Sequence, residues 1–248
     1  MHGVDPLDTF LEHWDTLVFV EATIYGLDED VERAALSGAP SPAQLSPKLT
    51  ALLSILRERG VLTAAVQDEL SNGLSYWAEE CRMGACMLRG GAVPPGGHAD
   101  DAGFTLEEAH AASEKKSFDY RVLNHLVYAL RGETPNPALL EFLSVDEHLL
   151  DTGDDLVDYE DDCCENAFNI LRAYTHLFGS AAPLRMIDRI SRLEARHAEL
   201  LARLPPELQR RIESRKRSAA EGDGALRWVL PEPILDEASF RQKFAGGP

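Results

Sequence analysis

The sequence has no long apolar run. Nothing approaches the ~18 consecutive apolar residues that a membrane span requires, so no transmembrane segment is expected. Basic residues are scarce: Lys and Arg total 24 against 42 Asp and Glu, a net charge of −18, and only five of the cations are lysines. A surface so acidic argues against nucleic acid or an anionic membrane as partner. It leaves room for an anionic small substrate, provided a cation mediates. Cysteine is limited to Cys81, Cys86, Cys163 and Cys164. Neither the C-x4-C spacing nor the adjacent pair matches a zinc ligand set, and they read as reduced thiols. No alternating period-2 run suggests a strand. There is no internal repeat, nucleophile elbow, Gly-rich phosphate loop or Cys-His-Asp ordering. The opening residues MHGVDPLDTF carry acids and no Arg/Ser-rich amphipathic pattern. The expectation is a soluble cytoplasmic protein, or a plastid one after removal of a transit peptide.

What remains is helical. At 248 residues with 44% hydrophobic content, the chain can build a substantial core. Leu7, Phe10, Leu11, Trp14, Leu17 and Val18 recur at helical spacing, and Gly26 is expected to end that helix. Ser37 to Pro47 reads as a loop. Residues 48–58 and 62–88 read as helices, and GGAVPPGGHADDAG, 90–103, as a flexible loop, either a lid or a linker. Thr105-Leu-Glu-Glu108 is a capping box that opens a helix expected to run to about Arg131. Asn136-Pro137 starts the next, which is expected to continue or kink near Cys163. ENAFNILRAYTHLFG closes at Gly179. Helices are expected over 183–204 and from 206 to about 221, then an irregular tail over 223–248 with one short helix. The prediction is one all-α domain over 1–248, a helical bundle of about eight helices.

Asp146 to Glu165, DEHLLDTGDDLVDYEDDCCE, holds ten carboxylates and no Lys or Arg. At helical period, Asp151, Asp154, Asp155, Asp158, Asp162 and Glu165 share a sector of about 100°. Leu149, Leu150, Gly153, Leu156 and Val157 fall opposite, as the expected core-facing side. Like charges one turn apart each cost a few tenths of a kcal/mol. A hard divalent cation, which seeks oxygen ligands, suits such a strip. Asp154, Asp158 and Asp162 are therefore candidate magnesium ligands, assisted by Asp151 or Asp155. The alternative is a solvated acidic face.

Asp154-Asp155-Leu156-Val157-Asp158 is a DDxxD string. On it the sequence resembles the class I terpenoid synthase superfamily, which includes the all-trans prenyl diphosphate synthases. LLDTGDDLVDYEDD looks like their second aspartate-rich motif. It also approximates the terpene cyclase template (N/D)DLxSxxxE, with Asp154, Asp158 and Asp162 in the ligand places. Lys116-Ser117 matches the Lys-Thr pair of the prenyl synthases, whose lysine meets diphosphate, and Arg121 is a further candidate on the same helix. Asp28 and Glu32, in Asp28-Glu29-Asp30-Val31-Glu32, stand where a first aspartate-rich motif would be sought, without forming DDxxD. Arg227-Trp228 is similar to the Arg-Tyr pair of the cyclases.

The resemblance covers mainly residues 105–180, and the whole chain looks like an uncharacterised terpenoid-synthase-like group from plants and algae. It implies an isoprenoid-synthase bundle, a Mg2+ cofactor and a prenyl diphosphate substrate. Asp151, Asp154, Asp155, Asp158 and Asp162 would serve as ligands, with Asp28 and Glu32 on the opposing motif and Lys116, Arg121 and Asp155 at the chemistry. It also allows a homodimer. Two alternatives stand beside it. One is a catalytically silent helical scaffold that kept the acidic helix. The other is a ferritin-like di-iron protein built on Glu107-x-x-His110 and Glu194-x-x-His197.

Overall fold

A computed structural model of the chain describes residues 6–37, 46–89, 103–220 and 228–245. The expected Ser37–Pro47 loop, the expected 90–103 loop and Arg227 fall largely or wholly outside them. All regular structure among the described residues is helical: α1 (Pro6–Ser37), α2 (Pro47–Glu58), α3 (Ala64–Arg89), α4 (Leu106–Lys115), α5 (Phe118–Leu130), α6 (Pro137–Val157), α7 (Tyr159–Glu165), α8 (Ile170–Phe178), a 3-10 turn (Gly179–Ala181), α9 (Ala182–Arg203), α10 (Pro206–Ala220) and α11 (Glu237–Ala245). No helix among them is long and apolar enough to cross a membrane.

The residues group into two compact units. One comprises Met1–Trp77, Ser117–Ser144 and Glu199–Leu226. The other comprises Ala78–Lys116, Val145–Ala198 and Arg227–Pro248. In the first unit α1 packs against α2 and α5. Its helix does not end at Gly26 but continues to Ser37. The apolar face carries on through the buried side chains of Val20, Ile24, Leu27 and Val31, so burial outweighs the intrinsic weakness of a helical glycine. Lys48 also offsets the acids that follow: its Nζ donates to the Gly26 carbonyl at 2.7 Å and pairs with Asp30 at 2.6 Å.

Gly73 of α3 lies against the Phe118 ring, where an added Cβ would come within 2.4 Å of ring carbons. Phe118 is in turn held edge-on by Trp77, centroids 5.2 Å apart. Gly73→Ala should therefore destabilise the protein by about 1–3 kcal/mol, although alanine is otherwise the better helix former. A chemical-denaturation midpoint that rises instead would contradict this packing.

In the second unit the capping box is present as read: Thr105 N–H donates to Glu108 Oε2 at 2.7 Å, and Glu108 N–H donates to Thr105 Oγ1 at 3.1 Å. The helix it opens stops early. Lys116 leaves helical geometry (φ −49°, ψ −115°), and α5 begins separately at Phe118. The break turns the Lys116 ammonium onto Asp155. The acidic stretch is interrupted too, at Asp158 rather than near Cys163, and α7 closes on Asn166 in the left-handed region at φ 61°. Residues 166–169 are not helical, so the helix of NILRAYTHLF starts only at Ile170. Gly84 admits that turn, since a Cβ there would sit 3.1 Å from the Asn166 carbonyl oxygen.

The faces of the acidic stretch also differ from the helical-wheel expectation. Leu150 and Val157 are exposed, at 55% and 83%, while Glu147, Asp151 and Asp155 are buried with Leu156. The carboxylate strip is divided lengthwise, with Asp154 and Asp158 in solvent. The physical reason is that Asp155 has buried partners that outweigh the burial of two aliphatic side chains.

Candidate acidic site

Asp155 sits at the centre of the second unit's polar network. Lys116 Nζ donates to Asp155 Oδ1. Asp155 Oδ2 accepts the Ile170 N–H at 2.7 Å, which places a carboxylate on the first turn of α8, where donors are unsatisfied and the helix dipole is positive. Asn169 completes the cap: its Oδ1 accepts from Leu171 N and Arg172 N at 2.9 and 3.1 Å. Its Nδ2 donates to the Asp155 carbonyl at 2.5 Å and to Asp162 Oδ2 at 2.8 Å. Asn169 thus ties the two helices of the acidic stretch to α8.

The charges are tuned by this arrangement. Burial works against the Lys116 ammonium, but the charge and hydrogen bond of Asp155, with Asp162 and Asp151 behind, outweigh it and raise the pKa well above the ordinary lysine value. Burial also pushes the Asp162 carboxyl up to about 6, against the Asn169 hydrogen bond and helped by the negative charge of Asp155. Asp154 is exposed as a residue, yet its carboxyl still loses part of its hydration, which raises its pKa, opposed by Lys116 and reinforced by Asp158 and Asp155.

An acid whose folded pKa lies above its unfolded value favours the native state most when protonated. Wild type should therefore lose stability relative to Asp162→Asn as pH rises from about 4, through Asp162's pKa of about 6. Urea titrations of both proteins across that window test the sign, and parallel pH profiles would refute it.

Among the described residues, no three His, Cys, Asp or Glu side chains converge closely enough to hold a metal ion as they stand. Their donor chemistry nevertheless suits an oxygen-seeking cation. Asp158 N–H donates to the Asp154 carbonyl at 2.8 Å and Asp162 N–H to the Asp158 carbonyl at 2.8 Å. One-turn spacing therefore survives the break, and the three aspartates stay in register. The Asp154 and Asp158 carboxylates make no hydrogen bond among the described residues, and Asp162 keeps one oxygen open. Asp155, by contrast, has both oxygens engaged. Asp151 is buried beside this network and acts on Lys116 through its charge.

The other sequence candidates have their own partners. Arg121 pairs with Glu69 at 2.8 Å in the first unit. In that unit too, Asp28 Oδ1 accepts the Trp77 indole N–H at 2.6 Å, and Glu32 lies exposed within α1. The Tyr25 hydroxyl is raised by the charges of Asp119 and Glu21, then by burial and by Asp28. Glu21 is raised by burial and then by the charge of Asp119. Of the two ExxH motifs, His110 bonds Tyr174 at 2.8 Å and His197 bonds Asp146 at 2.9 Å. Glu194 accepts from Trp228 Nε1 at 2.8 Å.

Sequence reading missed Asn169, Arg172 and Glu237. Arg172 is fully buried. It donates to both Glu237 oxygens at 2.7 and 2.8 Å, to the Ala167 carbonyl at 2.7 Å and to Asn166 Oδ1 at 2.6 Å. The available signals were an Asn directly before an apolar helical run, which is an N-cap pattern, and a lone arginine inside NILRAYTHLF. Compared with protein-family models, with curated proteins and with solved structures, the chain matches none.

Proposed function

We propose that this chain is a magnesium-dependent enzyme acting on a prenyl diphosphate, on a helical bundle of the isoprenoid synthase type. The observation that carries this reading is the trio Asp154, Asp158 and Asp162. They keep one-turn spacing across the break between α6 and α7, with carboxylate oxygens left open, and Asp154 shares α6 with Asp155, which meets Lys116. Magnesium bound there would supply positive charge to stabilise a departing diphosphate. Asp154, Asp158 and Asp162 would hold it, and relief of the repulsion between Asp154 and Asp158 would favour its binding. Asp155 keeps Lys116 charged and oriented. With one N–H on Asp155, the ammonium has two further donors to offer a phosphate oxygen.

A second reading, the catalytically silent relative, has its own support. Asp155 has both oxygens engaged, and Asp162 has one held by Asn169. Part of the acidic stretch is thereby built into the fold. The discriminating experiment is incubation with magnesium and geranyl, farnesyl or geranylgeranyl diphosphate, following diphosphate release by 31P NMR. Release is expected, and it should fall on the order of 100-fold in Asp154→Asn and Asp158→Asn, the loss typical of one group that stabilises developing charge. No release from any substrate, with magnesium affinity unchanged in Asp154→Asn, would leave the scaffold.

A further inference from the structure

Helix α9 carries three arginines one turn apart on one face: Arg185, Arg189 and Arg192. In a chain with 42 acids and 24 bases, arginines are expected to be claimed by carboxylates. Among the described residues these three are not. Arg189 is 94% buried, since only 6% of it is accessible, yet its guanidinium donates only to the Ser113 hydroxyl, at 3.1 Å. Its Nε makes no hydrogen bond at all. Arg185 and Arg192 lie exposed on either side of it, and Arg185 rests over the Phe178 ring with its Cζ 5.1 Å from the centroid.

A buried guanidinium short of acceptors is costly. Its planar fork of donors suits a tetrahedral or planar oxyanion. We propose that Arg189, flanked by Arg185 and Arg192 and joined by the Ser113 hydroxyl, forms a binding site for a phosphate-type oxyanion. One buried guanidinium with an exposed arginine a turn to either side carries more positive charge than a singly charged carboxylate calls for, and suits a dianion.

The neighbouring groups agree. His110 bonds the Tyr174 hydroxyl at 2.8 Å. Burial and then the positive charges of Arg189 and Arg192 hold its pKa down to about 4. The guanidiniums of Arg189, Arg192 and Arg185 likewise act on Tyr174. Acids stand nearby as well: Glu114 and Asp155 attract Arg189, Glu107 acts on His110 and Asp188 on Tyr174, but among the described residues none of them bonds the Arg189 guanidinium. This inference stands on α4, α8 and α9. It does not require the magnesium reading, since the cations are the chain's own.

The test is binding of inorganic phosphate and of inorganic diphosphate to the full chain in EDTA, by calorimetry, with acetate as the carboxylate control. Saturable 1:1 binding of at least one phosphate anion is expected. It should weaken about tenfold or more in Arg189→Gln and several-fold in Arg192→Gln, as loss of charge-assisted hydrogen bonds implies. Asp154→Asn and Asp158→Asn should leave it unchanged, which separates this site from the acidic one. If Arg189→Gln does not fold, exposed Arg192→Gln decides. No saturable binding, acetate binding as tightly as phosphate, or unaltered affinity in Arg192→Gln and in any folded Arg189→Gln would overturn the proposal.

Discussion

Asp155→Ala is expected to lower unfolding free energy by about 3–5 kcal/mol, the usual cost of breaking a buried charge pair from one side. Two losses combine. The Lys116 ammonium is left facing Asp151 and Asp162 without its direct partner, and the Ile170 N–H at the start of α8 loses its acceptor. Asp155→Asn should cost less, because its amide oxygen can still accept from Ile170 or from Lys116. Lys116→Met should cost less than Asp155→Ala, since Asp155 would keep the helix N-terminus. The double variant Lys116→Met, Asp155→Asn should therefore be milder than the sum of its parts, as coupled neighbours are. Urea unfolding followed by circular dichroism measures all four. A loss below about 1 kcal/mol for Asp155→Ala would mean the pair behaves as a surface contact.

Arg172→Met should cost a comparable amount, about 3–5 kcal/mol. The side chain is fully buried and gives four hydrogen bonds to three residues. Its removal leaves Glu237 partly buried, with Arg241 at 2.9 Å as its remaining cation. The effect should be local as well as global. Helix α11 is fixed by Glu237 on Arg172 and by Arg241 on the Cys163 carbonyl at 2.6 Å, while Ile234 N–H donates to the Tyr159 hydroxyl at 2.9 Å. Limited proteolysis should cut near 228–237 in Arg172→Met under conditions where wild type stays whole. Equal digestion of the two would show that α11 is held by something other than this clamp. Glu237→Gln, which keeps an acceptor without the charge, should fall between them.

Much of the helical layout was readable because it rests on local rules. The capping box at Thr105, the Asn136-Pro137 start and the apolar spacing of α2, α3 and α9 each reflect short-range hydrogen bonding or one-sided burial. The breaks were not readable. Lys116 occupies a stretch with no proline or glycine, and its departure from helix geometry answers to Asp155, distant in sequence; Asp158 interrupts the helix five residues beyond Gly153 with no side-chain cap of its own. The same holds for the site. The DDLVD string and Lys116 were visible as chemistry, and the structure does bring Lys116 to Asp155. A helical wheel could not say which carboxylates turn inward, because it assumes that apolar residues take the buried side. Here the ion pair and the α8 cap reverse that assumption at Asp155, Leu150 and Val157. Gly26 misled for a related reason: its helix is sustained by the burial of Ile24, Leu27 and Val31, with Lys48 reaching the Gly26 carbonyl from α2.

The clamp on Arg172 has a consequence for how the chain is made. Glu237 lies 65 positions further along than the guanidinium it neutralises. During synthesis α8 leaves the ribosome well before its counter-charge exists. Until that later segment arrives, the arginine has only the Ala167 carbonyl and Asn166 Oδ1 as partners, and burying its charge without a counter-ion is costly. The second unit is therefore expected to close only after translation has passed Arg241, with the nascent intermediate a ready target for chaperones that recognise exposed apolar helices.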